Sequence, residues 1–67
     1  MNVMAIARRV LSEFEEMPGM MLSRRQVSRL FNLEEELCKS VVDVLVDSAY
    51  LRETTSGKIM LGHRVAV

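Results

Sequence analysis

The sequence predicts an α+β fold of three helices and a C-terminal β-hairpin, in the order helix, strand, helix, helix, strand, strand. Apolar residues recur at intervals of three and four in three separate segments, which is the spacing of one helix face. After Tyr50 this spacing gives way to two short runs around a Ser-Gly turn, which is typical of a hairpin. At 67 residues the chain has room for one core, so residues 1–67 are predicted to form a single domain.

The first helix is predicted to begin at residue 3 and to end near residue 17. Its apolar face consists of Val3, Ile6, Ala7, Val10, Leu11 and Phe14. Pro18 disfavours helical geometry in the residue before it, and Gly19 favours a turn. The next three residues are too few for a helix between these breakers and the following segment, so residues 20–22 are predicted to form a short strand.

The second helix is predicted to begin after Ser23, because Ser23-x-x-Gln26 matches a capping box. Its core-facing residues are predicted to be Val27, Leu30 and Phe31. Its outward-facing residues are predicted to be Arg25, Ser28 and Arg29. The helix is predicted to end near Asn32, which forms a turn with Leu33.

The third helix is predicted to begin at the three glutamates 34–36, since carboxylates are favoured at the positive end of the helix dipole. Its broad apolar side consists of Leu37, Cys38, Val41, Val42, Val44, Leu45, Val46 and Ala49. The opposite strip consists of Glu36, Lys39, Ser40, Asp43 and Asp47. The hairpin follows in residues 51–54 and 58–61, with Ile59 and Leu61 toward the core and residues 62–67 as a loose tail.

The order of these elements resembles the winged-helix variant of the helix-turn-helix superfamily, and the resemblance covers about residues 3–61. The start of the positioning helix in many bacterial regulators resembles the segment Leu22-Ser23-x-x-Gln26-Val27. The end of their recognition helix resembles Val42-x-x-Leu45-Val46-Asp47-Ser48-Ala49-Tyr50-Leu51, with Ala49 where glycine is commonest. The chain is also similar to small uncharacterised bacterial winged-helix proteins, in a Glu-Phe-x-Glu-Met-Pro-Gly segment and in the single cysteine that opens the third helix.

The resemblance implies a DNA-binding transcriptional regulator, whose third helix enters the major groove while the second helix and the wing contact phosphates. Six residues are predicted to contact double-stranded DNA: Arg24, Arg25, Arg29, Lys39, Ser40 and Lys58. The formal net charge of zero gives no general attraction to phosphate, although residues 1–33 carry +2 and the remainder −2. The same cations are equally consistent with a solvated surface in which Arg25 or Arg29 pairs with a nearby glutamate.

The acidic strip of the third helix leads to an alternative function. Glu36, Asp43 and Asp47 outnumber Lys39 there, and a carboxylate repels phosphate unless it accepts a hydrogen bond from a cytosine amine. These three acidic residues are therefore the predicted contacts of a winged-helix module that binds a protein partner and does not bind DNA. The two functions differ in how salt should act on binding, because affinity for DNA through these cations should fall steeply as the ionic strength rises.

The sequence contains no pattern that indicates an enzyme, a cofactor or a metal site. It has no nucleophile beside a base, no phosphate-binding glycine loop and no metal-ligand spacing, and His63 lies in the polar tail. No apolar run approaches the roughly 18 residues of a membrane span, and no secretory segment is recognisable, so we expect a cytoplasmic protein. A single cysteine excludes an internal disulfide, so a homodimer is the expected support. Its contact is expected on the first helix, whose apolar residues include Met4, together with the wide apolar side of the third helix.

Overall fold

The computed structural model describes residues 2–63 as three helices and a three-stranded antiparallel sheet. The helices are α1 (Val3–Glu16), α2 (Arg24–Leu30) and α3 (Glu35–Asp47). The strands are β1 (Leu22–Ser23), β2 (Leu51–Glu53) and β3 (Lys58–Leu61). This mixed α and β structure has its elements in the order predicted from the sequence. Within residues 2–63, none of the helices has the length and apolar character that crossing a membrane would require.

The sheet has the strand order β1-β3-β2, so the hairpin of β2 and β3 is extended by the short strand that precedes α2. Leu22 pairs with Ile59, and Glu53 pairs with Ile59 from the other side. The first strand was predicted to span residues 20–22, and its predicted start at residue 20 was wrong. The N–H of Met20 donates to the carbonyl of Met17 at 2.8 Å in the turn after α1, so pairing with β3 begins only at Leu22.

The core joins all three helices to the hairpin. Among residues 2–63, the buried apolar residues are Ala7, Val10, Leu11, Phe14, Val27, Cys38, Val41, Val42, Leu45, Leu51 and Ile59. Burying one such aliphatic or aromatic side chain contributes about 1.5–3 kcal/mol relative to leaving it in water. Most of the predicted inward face of α1 and Ile59 of β3 are in this set, while Val3, Ile6 and Leu61 are only partly buried against it; the burial of Cys38 is confirmed.

The capping box of α2 is confirmed. The Ser23 Oγ accepts from the N–H of Gln26 at 3.1 Å, and the Gln26 Oε1 accepts from the N–H of Ser23 at 2.8 Å. The helix ends with Asn32 in the left-handed region, at φ 53, where the N–H of Leu33 donates to the carbonyl of Ser28 at 2.8 Å. This pattern closes α2 and sets the direction of the chain into α3.

Two predicted orientations on α2 were wrong. Leu30 is 59% exposed instead of buried, because α2 packs through Val27 and Leu30 lies on the flank turned away from α3. Ser28 is half-buried instead of outward-facing, and its hydroxyl donates to the carbonyl of Leu33 at 2.6 Å. Ser28 therefore stabilises the turn between α2 and α3.

The end of α3 also differs from the prediction, which placed Ala49 on the buried side of the helix. Ala49 is exposed and has a φ of 65°, because α3 ends at Asp47 and the chain then turns through the left-handed region. The N–H of Tyr50 donates to the carbonyl of Leu45, and the N–H of Ala49 donates to that of Val46, both at 3.0 Å. This is the Schellman arrangement, in which glycine is preferred at the position of Ala49.

Ala49→Gly should therefore stabilise the protein. We expect the free energy of unfolding to rise by about 1 kcal/mol, because the left-handed penalty of an L-residue exceeds the larger unfolded-state entropy of glycine. Ala5→Gly is the matched control, since Ala5 is exposed within α1 and glycine there should lower the free energy of unfolding by up to about 1 kcal/mol. Chemical denaturation measures both changes, and a loss of stability in Ala49→Gly would contradict the helix-end geometry.

Gly62 belongs to the folded structure, although it was predicted to start a loose tail; residues 64–67 of that tail lie outside the described residues. The N–H of Gly62 donates to the carbonyl of Tyr50 at 2.9 Å, next to the last pair of β2 and β3. A Cβ at this position would collide with the carbonyl oxygen of Ala49 and would lie 3.0 Å from the carbonyl of Leu51. Backbone atoms on both sides leave little room for adjustment.

Gly62→Ala should destabilise the protein by about 1–3 kcal/mol, the usual range for forcing atoms into a packed region. Gly19→Ala is the matched control, because nothing lies within 4 Å of a Cβ built at Gly19. Thermal unfolding of the two variants tests the difference. Equal melting temperatures would show that Gly62 is not held against the α3–β2 connection.

Candidate nucleic-acid interface

The first candidate site is a groove of about 720 Å³ between α2 and the N-terminal half of α3, which we call the α2–α3 groove. It is lined by Arg24, Arg25, Ser28, Arg29, Glu35, Cys38 and Lys39. Four of the six residues predicted to contact DNA are among these: Arg24, Arg25, Arg29 and Lys39. The structure therefore brings together four cations from two helices, with a single carboxylate in the lining.

Local geometry explains why these cations share one groove. Arg25 and Arg29 are four residues apart on α2, and Glu35 and Lys39 are four residues apart on α3, so each pair lies on one helix face. The two helices are joined through the Ser28–Leu33 turn described above. At the base of the groove the buried Cys38 thiol donates to the carbonyl of Arg24, with 3.4 Å between sulfur and oxygen. Burial raises the pKa of this thiol above its usual value, so Cys38 stays protonated.

Arg24 is the most constrained of the four cations. Its Nε and Nη2 donate to the two carboxylate oxygens of Glu53, and Nη2 also donates to the Oδ1 of Asp43, each at 3.0 Å. The side chain is 35% exposed, and it links the first residue of α2 to β2 and to α3. Hydrogen bonding to Glu53, followed by that to Asp43, raises the pKa of Arg24 above its usual value. Much of its donor capacity is thus used within the protein.

The acidic strip of α3 is partly compensated. The Lys39 Nζ donates to the Oδ2 of Asp43 at 2.9 Å, while Arg24 binds the other oxygen, so both carboxylate oxygens of Asp43 are occupied. Hydrogen bonds from Lys39 and then from Arg24 hold the pKa of Asp43 below its ordinary value, and the bond to Asp43 raises the pKa of Lys39. Glu36 and Asp47 form no ion pair within residues 2–63.

Arg25 and Arg29 are the available cations of the α2–α3 groove. Both side chains are exposed, and neither forms an ion pair with any residue in the described part of the chain. The pairing with a nearby glutamate that the sequence left open is therefore not found among those residues. An exposed guanidinium without a carboxylate partner can donate to an incoming anion at no cost of a broken internal bond.

The remaining two predicted contacts lie elsewhere. Lys58 is at the start of β3, paired in register with Ser23, and its N–H donates to the Thr54 Oγ1. Ser40 lies in a second groove of about 570 Å³, which we call the α1–α3 groove. This groove is lined by Ile6, Asn32, Leu33, Glu34, Glu36, Leu37 and Ser40. Ser40 and the predicted protein contact Glu36 are thus on one side of α3, and the cations are on the other.

Glu53 is the residue at this site that the sequence did not single out. It reaches Arg24 because β1 and β2 flank the same strand, with Leu22 and Glu53 both paired to Ile59. No spacing along the chain indicates a pair separated by 29 residues. Within residues 2–63, no three His, Cys, Asp or Glu side chains form a group that could hold a metal ion. Comparison of the chain with protein-family models, curated proteins and solved structures gave no match in any of the three.

The Arg24 cluster should make stability depend on pH at acidic values. Asp43 and Glu53 both have a pKa lowered by hydrogen bonds to cations, with Arg24 the main cause for Glu53. A carboxyl whose pKa is lower in the folded state than in the unfolded state stabilises the fold above the unfolded value, about 4, and this contribution is lost as the pH falls through the folded pKa. The free energy of unfolding should therefore decline from about pH 5 downward.

Arg24→Ala should flatten this decline and lower the free energy of unfolding at pH 7 by about 1 kcal/mol, the upper end for exposed ion pairs. Arg25→Ala is the matched control, because Arg25 is exposed and has no ion-pair partner among the described residues. Urea denaturation at a series of pH values measures both quantities. Parallel pH profiles for the wild type and Arg24→Ala would contradict the assigned role of the cluster.

Proposed function

We propose that the protein is a small winged-helix DNA-binding protein and acts as a transcriptional regulator. The observation that carries the proposal is the α2–α3 groove, where Arg25 and Arg29 are exposed without carboxylate partners in residues 2–63. Together with Lys39 they offer three cations to the phosphates of a DNA duplex. Such a regulator acts where the chromosome is, so the proposal includes the bacterial cytoplasm as its location.

The architecture supports the winged-helix part of the proposal. The element order, and a sheet in which the strand before α2 pairs with the last strand of the hairpin, are both expected of that layout. In winged-helix proteins the third helix lies in the major groove and the flanking elements contact phosphates. A fold alone does not imply a function, so the proposal depends on the side chains of the groove.

The main argument against DNA binding is the acidity of α3, and the arrangement of charges around that helix weakens this argument. Asp43 is bonded to two cations, so its repulsion of phosphate is reduced, and the unpaired Glu36 lines the other side of the helix. Arg24 is bonded to two carboxylates, those of Glu53 and Asp43, whereas Lys39 is bonded to Asp43 alone and Arg25 and Arg29 have no ion-pair partner among the described residues. We assign Arg24 to positioning the hairpin against α2 and α3, and we assign Arg25, Arg29 and Lys39 to phosphate contacts.

Fluorescence anisotropy with a labelled random duplex tests the proposal. Each phosphate contact contributes about 0.9 to the slope of log affinity against log salt concentration, so Arg25→Ala plus Arg29→Ala should reduce that slope by about 2. Arg8→Ala removes one charge from the exposed surface of α1 and is the control that should leave the slope unchanged. Absence of duplex binding at low salt by the folded wild type would overturn the proposal.

The second candidate is a winged-helix module that binds a protein and not DNA. The specific observation in its favour is that Glu36 and Asp47 are exposed and unpaired within the described chain. Asp43, the third acidic residue predicted for this function, is less suited to it because both of its oxygens are bonded. Absence of binding to a random duplex at low salt by the folded wild type would favour this candidate.

A further inference from the structure

The two walls of the α2–α3 groove differ in charge. The α2 wall carries three arginines, Arg24, Arg25 and Arg29, and the α3 wall carries Glu35 and Lys39. Glu35 is the one carboxylate among the described residues that line the groove. A carboxylate in this place weakens the binding of any phosphate, because like charges repel. A groove that bound phosphates alone would gain affinity from a neutral residue at this position.

Glu35 has no ion-pair partner in the described part of the chain. Lys39 follows it by four residues, the spacing at which a glutamate and a lysine commonly pair on a helix. The Lys39 Nζ instead donates to Asp43, and neither Arg25 nor Arg29 reaches across the groove to Glu35. Glu35 is exposed, so its carboxylate can accept hydrogen bonds from an incoming molecule without the loss of an internal bond.

The helix dipole explains why a carboxylate is favoured at the start of α3, but it does not explain why one lies in this groove. Glu34, Glu35 and Glu36 all lie at the positive end of the dipole. Glu34 and Glu36 line the α1–α3 groove, and of the three only Glu35 lines the groove with the cations. Glu36 therefore shares the dipole interaction of Glu35 but not its surroundings.

The two walls of the groove suit different parts of a DNA duplex. An α-helix fits into the major groove of B-DNA, which is bordered by the two phosphate backbones. With α3 in the major groove, as in the DNA-binding function proposed above, the first turn of α3 lies against base edges. Arg25 and Arg29 on α2 then lie beside a phosphate backbone. Glu35 is thereby placed near the hydrogen-bonding groups of the bases.

Cytosine is the base that best suits a carboxylate in the major groove. A carboxylate only accepts hydrogen bonds, and cytosine presents its N4 amino group, which is a donor, beside a C–H group. Adenine also presents an amino group there, but its neighbouring N7 is an acceptor and repels a carboxylate. Guanine and thymine present acceptors, together with the methyl group of thymine.

We infer that Glu35 makes the protein prefer duplexes with cytosine where the first turn of α3 meets the bases. The Glu35 carboxylate accepts a hydrogen bond from the cytosine N4, while Arg25 and Arg29 bind the adjacent phosphates. The cations supply affinity for any sequence, and the carboxylate supplies the discrimination. A duplex without cytosine at that position leaves the carboxylate desolvated without a donor, which costs free energy. This inference rests on the proposed function, because it names the sequence preference of the same groove.

Competition measured by fluorescence anisotropy tests the inference. The protein is bound to a labelled random duplex and is displaced by unlabelled duplexes of equal length, one with only G·C pairs and one with only A·T pairs. The wild type should prefer the G·C duplex by about fivefold or more, the low end for one base contact. Glu35→Gln should lose or reverse this preference, because a glutamine amide suits the N6 and N7 of adenine.

Glu36→Gln is the matched control, because it removes the same charge from the same helix end but from the other groove. It should keep the preference, and circular dichroism must show that both variants are folded. The inference is overturned if the wild type binds both duplexes equally, if the preference persists in Glu35→Gln, or if Glu36→Gln loses it as well. Each of these results leaves the proposed function standing, whereas a wild type that binds no duplex at low salt overturns the proposed function itself.

Discussion

The burial of α3 by α1, α2 and the hairpin is the constraint on which the structure depends. Cys38, Val41, Val42 and Leu45 are all buried, and no single neighbour could cover them. Packing against α1, α2 and the hairpin completes that burial, with Leu51 and Ile59 contributing from the sheet. A chain this short has little apolar surface to offset the conformational entropy lost on folding. Each of these contacts is therefore a substantial share of the net stability.

At the edge of this core, Arg24 connects the elements that apolar packing brings close. Its guanidinium binds Glu53 of β2 and Asp43 of α3, while its carbonyl accepts from the thiol of Cys38. Each exposed ion pair contributes little free energy, but three directional bonds from one planar group restrict how the hairpin sits on the helices. These bonds occupy the side chains of Arg24 and Asp43. Arg25 and Arg29 stay available on the surface to bind an anion.

The two sides of the N-terminal half of α3 are chemically distinct. Glu35 and Lys39 line the α2–α3 groove, whereas Glu36 and Ser40 line the α1–α3 groove, because one step along a helix rotates the side chain by 100°. The two grooves share no lining residue. The proposed phosphate contacts are therefore confined to one side of α3.

The amino-acid sequence by itself determined the three helices, the capping box at Ser23, the hairpin and most of the core, because periodicity and turn chemistry act over a few residues. It also indicated that Arg25 and Arg29 share one face. Only the tertiary structure decided that Leu30 is exposed and that Arg24 is held by Glu53, a residue 29 positions away. The exposure of Leu30 depends on how α2 packs, and the contact between Arg24 and Glu53 depends on the pairing of β1 and β2 with the same strand. Neither arrangement is encoded in the spacing of residues along the chain.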